Sequence, residues 1–227
     1  MALETPPGPR PSLVARRPRL TLAIALLLGA AMSFYLQNRP PPWRALTLTP
    51  VVAAVLKDDG GPRIGPDDAD VVVVVFTDYQ CPVCKRTDAA LERVAANDGR
   101  VRVVYKDWPI LGEASVLAAR AALAADAQGK YADVHRALMA SRSKLDAERI
   151  RDIAIEAGAD WPRLQADQAA RAGEIEARLN RQAGQAWSLG VEGTPAYLVG
   201  PYLVKGGLDD RDLARAVAAA RKAGPPR

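Results

Sequence analysis

The chain has 227 residues, of which 49% are hydrophobic and 5% aromatic, with a formal net charge of +5. That length accommodates one ordinary domain once a targeting segment is set aside, and so few aromatics leave its core to Ala, Val, Leu and Ile. The first 37 residues hold Arg10, Arg16, Arg17 and Arg19 against Glu4 alone, so they carry +3 of the +5; no aromatic-interleaved basic stripe follows, and nucleic acid is excluded as an expected partner.

Residues 1–19, rich in Pro and Arg, read as a disordered basic N-terminus. Residues 20–36 then form an uncharged apolar run of 17 residues, at the lower edge of what spans a bilayer. The arginines before it place the N-terminus on the cytoplasmic side and the rest of the chain across the membrane. Two readings stay open. The run is an uncleaved transmembrane signal anchor, favoured because it continues through Phe34, Tyr35 and Leu36, or a signal peptide cleaved after Ala31. No Cys follows the run directly, so lipid attachment is not expected.

Residues 37–62 read as a linker and N-terminal extension. Pro40-Pro41-Pro42 stiffens it, residues 46–57 suit a short helix or strand, and Asp58 to Pro62 a turn. The main domain is expected over 63–222. Val71 to Phe76 is a continuous β-branched run, which marks a strand buried on both faces. A helix follows over 85–96, ended by Asn97-Asp98-Gly99, and a second strand over Val101 to Tyr105 completes a βαβ unit with parallel strands.

From 113 to 189 the spacing is helical throughout. It predicts helices at about 113–127, 130–141, 146–157, 160–171 and 174–189, with Gly129, Gly158 and Gly173 at boundaries. Residues 193–200 and 201–206 read as a hairpin. A last helix over 210–222 is capped by Asp209 or Asp210, and 223–227 is a frayed tail. The sum is an α/β domain interrupted by a helical insertion.

The two cysteines, Cys81 and Cys84, lie where the first strand has ended and a helix begins. A disulfide across so short a loop adds little chain-entropy stabilisation, so its value is chemical. A helix N-terminus favours an anion, which lowers a thiol pKa at Cys81. Pro82 fits the first helical turn, where its missing N–H costs nothing. Cys84, three residues on, shares a helix face with Cys81, so the sulfurs can pair. This assigns Cys81 as the exposed attacking nucleophile and Cys84 as the buried resolving thiol. Closed zinc coordination would need two further ligands, and the only His is His135, read as an ordinary surface or packing residue, so no metal is expected. Trp43, Trp108, Trp161 and Trp187 read as core or boundary residues, and no cofactor motif is present.

Phe76-Thr77-Asp78-Tyr79-Gln80-Cys81-Pro82-Val83-Cys84-Lys85 resembles the active-site segment of DsbA-like thiol–disulfide oxidoreductases. Asp107 to Gly112, Ser115 to Leu123, Tyr131, His135 and Leu138-Met139 continue the resemblance, and Gly193-Thr194-Pro195-Ala196 resembles the family's cis-proline loop. The resemblance covers about residues 65–222. It implies a thioredoxin-like fold with the helical block inserted, a cis bond at Pro195 facing the cysteines, and contact of Thr194 and Pro195 with a bound substrate peptide. It further implies protein substrates with thiols or disulfides, a membrane or soluble redox partner, and a location at the inner membrane facing the periplasm, or free in the periplasm after cleavage.

Two departures bear on the direction of exchange. The intervening dipeptide is Pro82-Val83, whose side chains cannot donate to a thiolate, where strong oxidants of the family often carry His. Val75 stands where many relatives carry Glu, so a buried carboxylate relay at Cys84 is not expected there. Oxidation of substrate thiols is the favoured direction, and reduction or isomerisation the alternative. A tethered chaperone-like module and transient Cu(I) delivery through the two thiols are readings from other classes.

Overall fold

The computed structural model describes residues 18–57 and 61–224, in two units that divide after Pro41. Expectations for residues 1–17, 58–60 and 225–227 lie outside the described residues. The first unit carries helix α1, Pro18–Asn38. Its window Arg19–Leu36 has a mean hydropathy of 1.8 and none of it is buried, so the helix is long and apolar enough to cross a membrane. It extends the expected run by two residues at each end.

The second unit is built on a six-stranded sheet. Its strands are β1 (Arg44–Ala45), β2 (Arg63–Ile64), β3 (Val71–Thr77), β4 (Val101–Asp107), β5 (Ala196–Val199) and β6 (Tyr202–Lys205), in the order β1-β6-β5-β3-β4-β2. Only β3 and β4 run parallel, from Val71 opposite Val101 to Thr77 opposite Asp107. Every other pairing is antiparallel. The period of two along β3 divides its side chains between two cores. Val71, Val73 and Val75 join the larger core, with Leu91, Leu123 and Leu213. Val74 and Phe76 join the smaller, with Val52, Trp108 and Leu198. Burial on both faces stabilises a β-branched run by about 1.5–3 kcal/mol per side chain. That is why six consecutive apolar residues settle as a central strand.

Helix α2 (Pro50–Leu56) precedes β2, with the Thr49 hydroxyl accepting from Val52 N at 3.3 Å. The stretch that suited either a helix or a strand thus holds a helix, and the adjoining strand β1 ends just before it. Helix α3 (Pro82–Asp98) joins β3 to β4 and stops at Gly99, which takes φ +71°. The insertion contains α4 (Glu113–Ala125), a 3₁₀ turn (Asp126–Gln128), α5 (Tyr131–Ala140), α6 (Ala147–Glu156), α7 (Trp161–Ala170) and α8 (Ala172–Ser188). Helix α4 is buried nearly all round through Ala118, Ala119, Ala121, Ala122, Ala124 and Ala125. Methyl side chains let neighbouring helices approach it from several sides.

The expectation that Gly173 marks a helix boundary is corrected: it lies inside α8. The break falls at Arg171, whose N–H still bonds to the Asp167 carbonyl and whose guanidinium clasps Glu174 across it, at 2.9 and 3.0 Å. No left-handed residue is needed there. Helix α9 (Asp210–Ala223) is capped by Asp209, which accepts from Asp212 N at 2.7 Å. Near its end Arg221 bonds both Asp70, before β3, and Asp98, the last residue of α3, at 2.7–3.0 Å.

Candidate active site

Strand β3 ends in a turn that delivers Cys81 to the start of α3. Asp78 builds that turn. Its buried carboxylate accepts from Gln80 N at 2.7 Å, Ser115 Oγ at 2.7 Å, Ile110 N at 2.8 Å and Leu111 N at 3.0 Å. It thereby ties the turn to the loop after β4 and to the first turn of α4. Four donors compensate a buried carboxylate that would otherwise be costly. The Asp78 carbonyl also accepts from Cys81 N at 3.1 Å.

Cys81 is the N-cap of α3, and its Sγ accepts from Cys84 N at 3.3 Å. A sulfur thus takes the place of the oxygen that usually caps a helix. Both thiols are free. A hydrogen bond from the Cys84 thiol does most to hold the Cys81 pKa down at about 6, helped by the backbone N–H groups of Cys84 and Val83 and by the Thr194 side chain, against the opposing effect of burial. The same bond, together with burial, pushes the Cys84 thiol well up. The pair is therefore asymmetric: one sulfur carries the negative charge and the other keeps the proton.

The Thr194–Pro195 peptide bond is cis. The Thr194 carbonyl lies 3.3 Å from Cys81 Sγ, so β5 brings this loop across 113 residues onto the cysteines. That contact corrects one expectation. Cys81 was expected to be exposed, yet it is 4% accessible against 2% for Cys84. The covering loop comes from the far end of the sequence, which local reading of a helix N-terminus does not anticipate. Pro82 is exposed and Val83 half-buried. Val83 packs beside Gly207, where an added Cβ would stand 2.8 Å from Val83 Cγ1 and 2.9 Å from Thr87 Cγ2.

His135 is fully buried and sits in a chain of polar side chains, a more particular role than surface or packing. Its Nε2 lies 3.1 Å from Asp88 Oδ1 and its Nδ1 2.9 Å from Tyr79 Oη. Tyr79 donates to Tyr131 Oη at 3.4 Å, and Tyr131 donates to Asp107 at 3.2–3.3 Å. Burial pushes the Asp107 carboxyl up to about 6, with His135 and the tyrosine hydroxyls opposing it. No carboxylate stands at Val75, but this chain of acids, tyrosines and His135 passes through Tyr79, two residues before Cys81. The family resemblance brought Tyr131 and His135 to notice without their connection to Tyr79. On the adjoining strand Lys106 is also buried, and desolvation, with Arg181 and Arg178 nearby, lowers its pKa to about 7. Of the tryptophans, Trp108 is buried, whereas Trp187 is 60% exposed and meets it edge-on at 5.4 Å.

A Cys-x-x-Cys pair at the head of the helix after a central strand, facing a cis-proline from a neighbouring strand, defines a thioredoxin-like thiol–disulfide protein. Residues 72–218 match the DSBA-like thioredoxin domain, and the chain belongs to that family of thiol–disulfide oxidoreductases. A thioredoxin-like oxidoreductase from Silicibacter pomeroyi DSS-3 is 42% identical, with a TM-score of 0.72 over 75% of this chain and 98% of that one. The thiol-disulfide exchange protein alpha-DsbA2 from Wolbachia pipientis is 31% identical, with a TM-score of 0.70 over 74% and 90%. A periplasmic thioredoxin-like protein from Salmonella enterica serovar Typhimurium is 29% identical, with a TM-score of 0.68 over 78% and 99%. Among curated proteins, a Na(+)/H(+) antiporter NhaA 1 from Mycobacterium sp. (strain KMS) is 31% identical over 160 residues. That match covers 69% of this chain but 26% of the antiporter, so the chain spans about a quarter of that relative's length.

Proposed function

We propose that this protein is an exported oxidoreductase that exchanges disulfides with protein substrates through Cys81 and Cys84, running toward oxidation of substrate thiols. The observation that carries the reading is the Cys81 thiol pKa of about 6, set by hydrogen bonds from Cys84 and Thr194. In the oxidised protein a substrate thiolate attacks Cys81 Sγ. The Cys81–Cys84 bond breaks, a mixed disulfide forms at Cys81, and Cys84 takes up the electron pair and a proton. A second substrate thiolate then attacks the substrate sulfur of the mixed disulfide. The substrate disulfide forms and Cys81 leaves as a thiolate. A sulfur of low pKa leaves readily, which favours this direction. A redox partner must afterwards reoxidise the pair.

Thr194 and Pro195 are assigned to substrate contact, since their loop covers the sulfur at which the mixed disulfide forms. Helix α1 supports export, either as an inner-membrane anchor with the domain in the periplasm or as a signal segment cleaved from a periplasmic protein. Domain limits of 63–222, with the insertion at 113–189, remain part of this reading. Reduction or isomerisation is the second reading, favoured by Pro82-Val83, which offers the thiolate no side-chain donor. The equilibrium potential against glutathione separates the two. A potential well above thioredoxin's is expected, and a value near about −270 mV would sink the oxidase direction. Loss of exchange in Cys81→Ser separates both from a chaperone-like module.

A further inference from the structure

A groove of about 710 Å³ opens beside the redox pair, and its electrostatics are one-sided. Gln80 and Pro82 form its near end, against Cys81. Lys85 and Arg86 on α3, with Arg142 and Lys144 in the loop after α5, supply the charge, and no Asp or Glu lines it. Arg86, Arg142 and Lys144 are exposed. Cations elsewhere on the domain, such as Arg93, Arg120, Arg136 and Arg221, are held by carboxylates at 2.6–2.9 Å. Among the described residues no carboxylate lies at ion-pair distance from the four cations of the groove, the buried Asp78 acting on Lys85 only from further off.

The loop is fixed rather than draped. Lys85 Nζ donates to the Ser141 carbonyl at 2.7 Å and anchors it to α3. The Ser141 hydroxyl, in the groove wall, is buried without a partner among the described residues. A buried hydroxyl left unpaired costs free energy that an incoming polar group recovers. Held together by the fold, the cations repel one another in the free protein, and an anion relieves that repulsion.

We propose that this groove selects substrates whose reacting cysteine is flanked by Asp or Glu. The proposal rests on the redox reading of Cys81, because the groove starts at the residues on either side of it. A polypeptide fits better than a lipid surface. The site is concave, continuous with the sulfur that bonds to substrate, and lined partly by Met139 and Pro82, which suit side-chain stems. A substrate chain joined to Cys81 that runs on past Pro82 crosses this surface, so carboxylates on that side of its cysteine meet the cations before and during exchange. Like-charged substrates are repelled by the same groups, which supplies discrimination as well as rate.

The test uses the full-length oxidised protein in neutral detergent and three peptides that differ only in whether Glu, Gln or Lys flanks a single Cys. Second-order rates of mixed-disulfide formation are corrected for each peptide's thiolate fraction and normalised to its reaction with 2-hydroxyethyl disulfide. The Glu peptide is expected to react about 10-fold faster than the Gln peptide at low salt, with the advantage shrinking toward 0.5 M salt, about where screening becomes complete over a few ångströms. The exposed double variant Arg142→Glu/Lys144→Glu, which leaves the groove's side chains with no net charge, is expected to bring the three rates together. Equal rates for the three peptides with the unaltered protein overturn the proposal, as does an order unchanged in the double variant. So does a charge effect confined to phosphatidylglycerol vesicles, with flotation lost in the variant while peptide rates stay equal. If no peptide exchanges, the redox reading fails instead. Anisotropy of the same peptides carrying Cys→Ser then decides the groove by itself: tighter binding of the Glu peptide, lost in the double variant, supports it, and equal binding refutes it.

Discussion

The Cys81 sulfur closes the first turn of α3 as a cap, and on the proposed redox reading it also supplies the thiolate for exchange. The pKa of about 6 gives both roles a measurable consequence. Alkylation of the reduced protein by iodoacetamide should rise with pH through a midpoint near 6, well below an ordinary thiol. The linkage follows from the direction of the shift. A folded pKa below the unfolded value makes the unfolded chain bind more protons between about pH 6 and pH 9. Reduced protein should therefore gain stability over oxidised protein as pH rises through that window, and lose the gain as pH falls through 6. Denaturant melts of both redox forms at several pH values would show it. Asp107 acts in the opposite sense. Its carboxyl, raised to about 6 by burial, binds a proton more tightly in the folded state, so stability falls as pH rises from about 4 to 6. Asp107→Asn, which still accepts from Tyr131, should remove that fall and stabilise the protein by roughly 1–3 kcal/mol at pH 8. Which residues could be read in advance follows the same divide between local and distant causes. The cysteine spacing, Pro82 and the helix start were legible because they are neighbours in sequence. The cover over Cys81, the four donors to Asp78 and the path from Tyr79 to Asp107 were not, because each depends on groups brought in from other elements.

Elements were recovered more fully than contacts. The β-branched run of β3 and the three- and four-residue spacing of the helical block give element type directly, and observed ends fall within a few residues of expectation. The break at Arg171 escaped because a helix can be interrupted by an ordinary residue in an ordinary conformation. Contact between elements is decided at places like Gly207. There the chain after β6 passes so close to α3 that a methyl group would press on Val83 and Thr87, both stiff at χ1. Gly207→Ala should cost about 1–3 kcal/mol by overpacking. It should also displace the first turn of α3, seen as a shifted midpoint in the alkylation profile. A substitution that lowered stability and left that profile unchanged would show that α3 absorbs the strain elsewhere.

For the molecule as a whole, the two units predict separable behaviour. If α1 serves as an anchor, the protein should sediment with membranes and resist carbonate extraction, and a chain beginning at Pro42 should be recovered in the soluble fraction with its alkylation profile intact. Recovery of the intact gene product as a soluble protein lacking residues 1–31 would instead establish cleavage. The βαβ unit was legible from sequence, as was the late return of strands, but the strand order was not. Hydrophobic runs say which segments become strands without saying which lie side by side.

That strand order has a consequence in time. Strand β3 is flanked by β4 on one side and by β5 on the other, and β5 lies more than a hundred residues further along the chain. A chain emerging N-terminus first therefore presents its two cysteines long before the sheet can close around them, and Arg221, which fastens Asp70 to Asp98, arrives later still. Until then the helix cap at Cys81 lacks its lid. The thiol owes most of its acidity to Cys84 within the motif, but it gains the contribution of Thr194 and its cover only when the last sixth of the sequence has arrived, so the centre is completed well after the motif itself has been made.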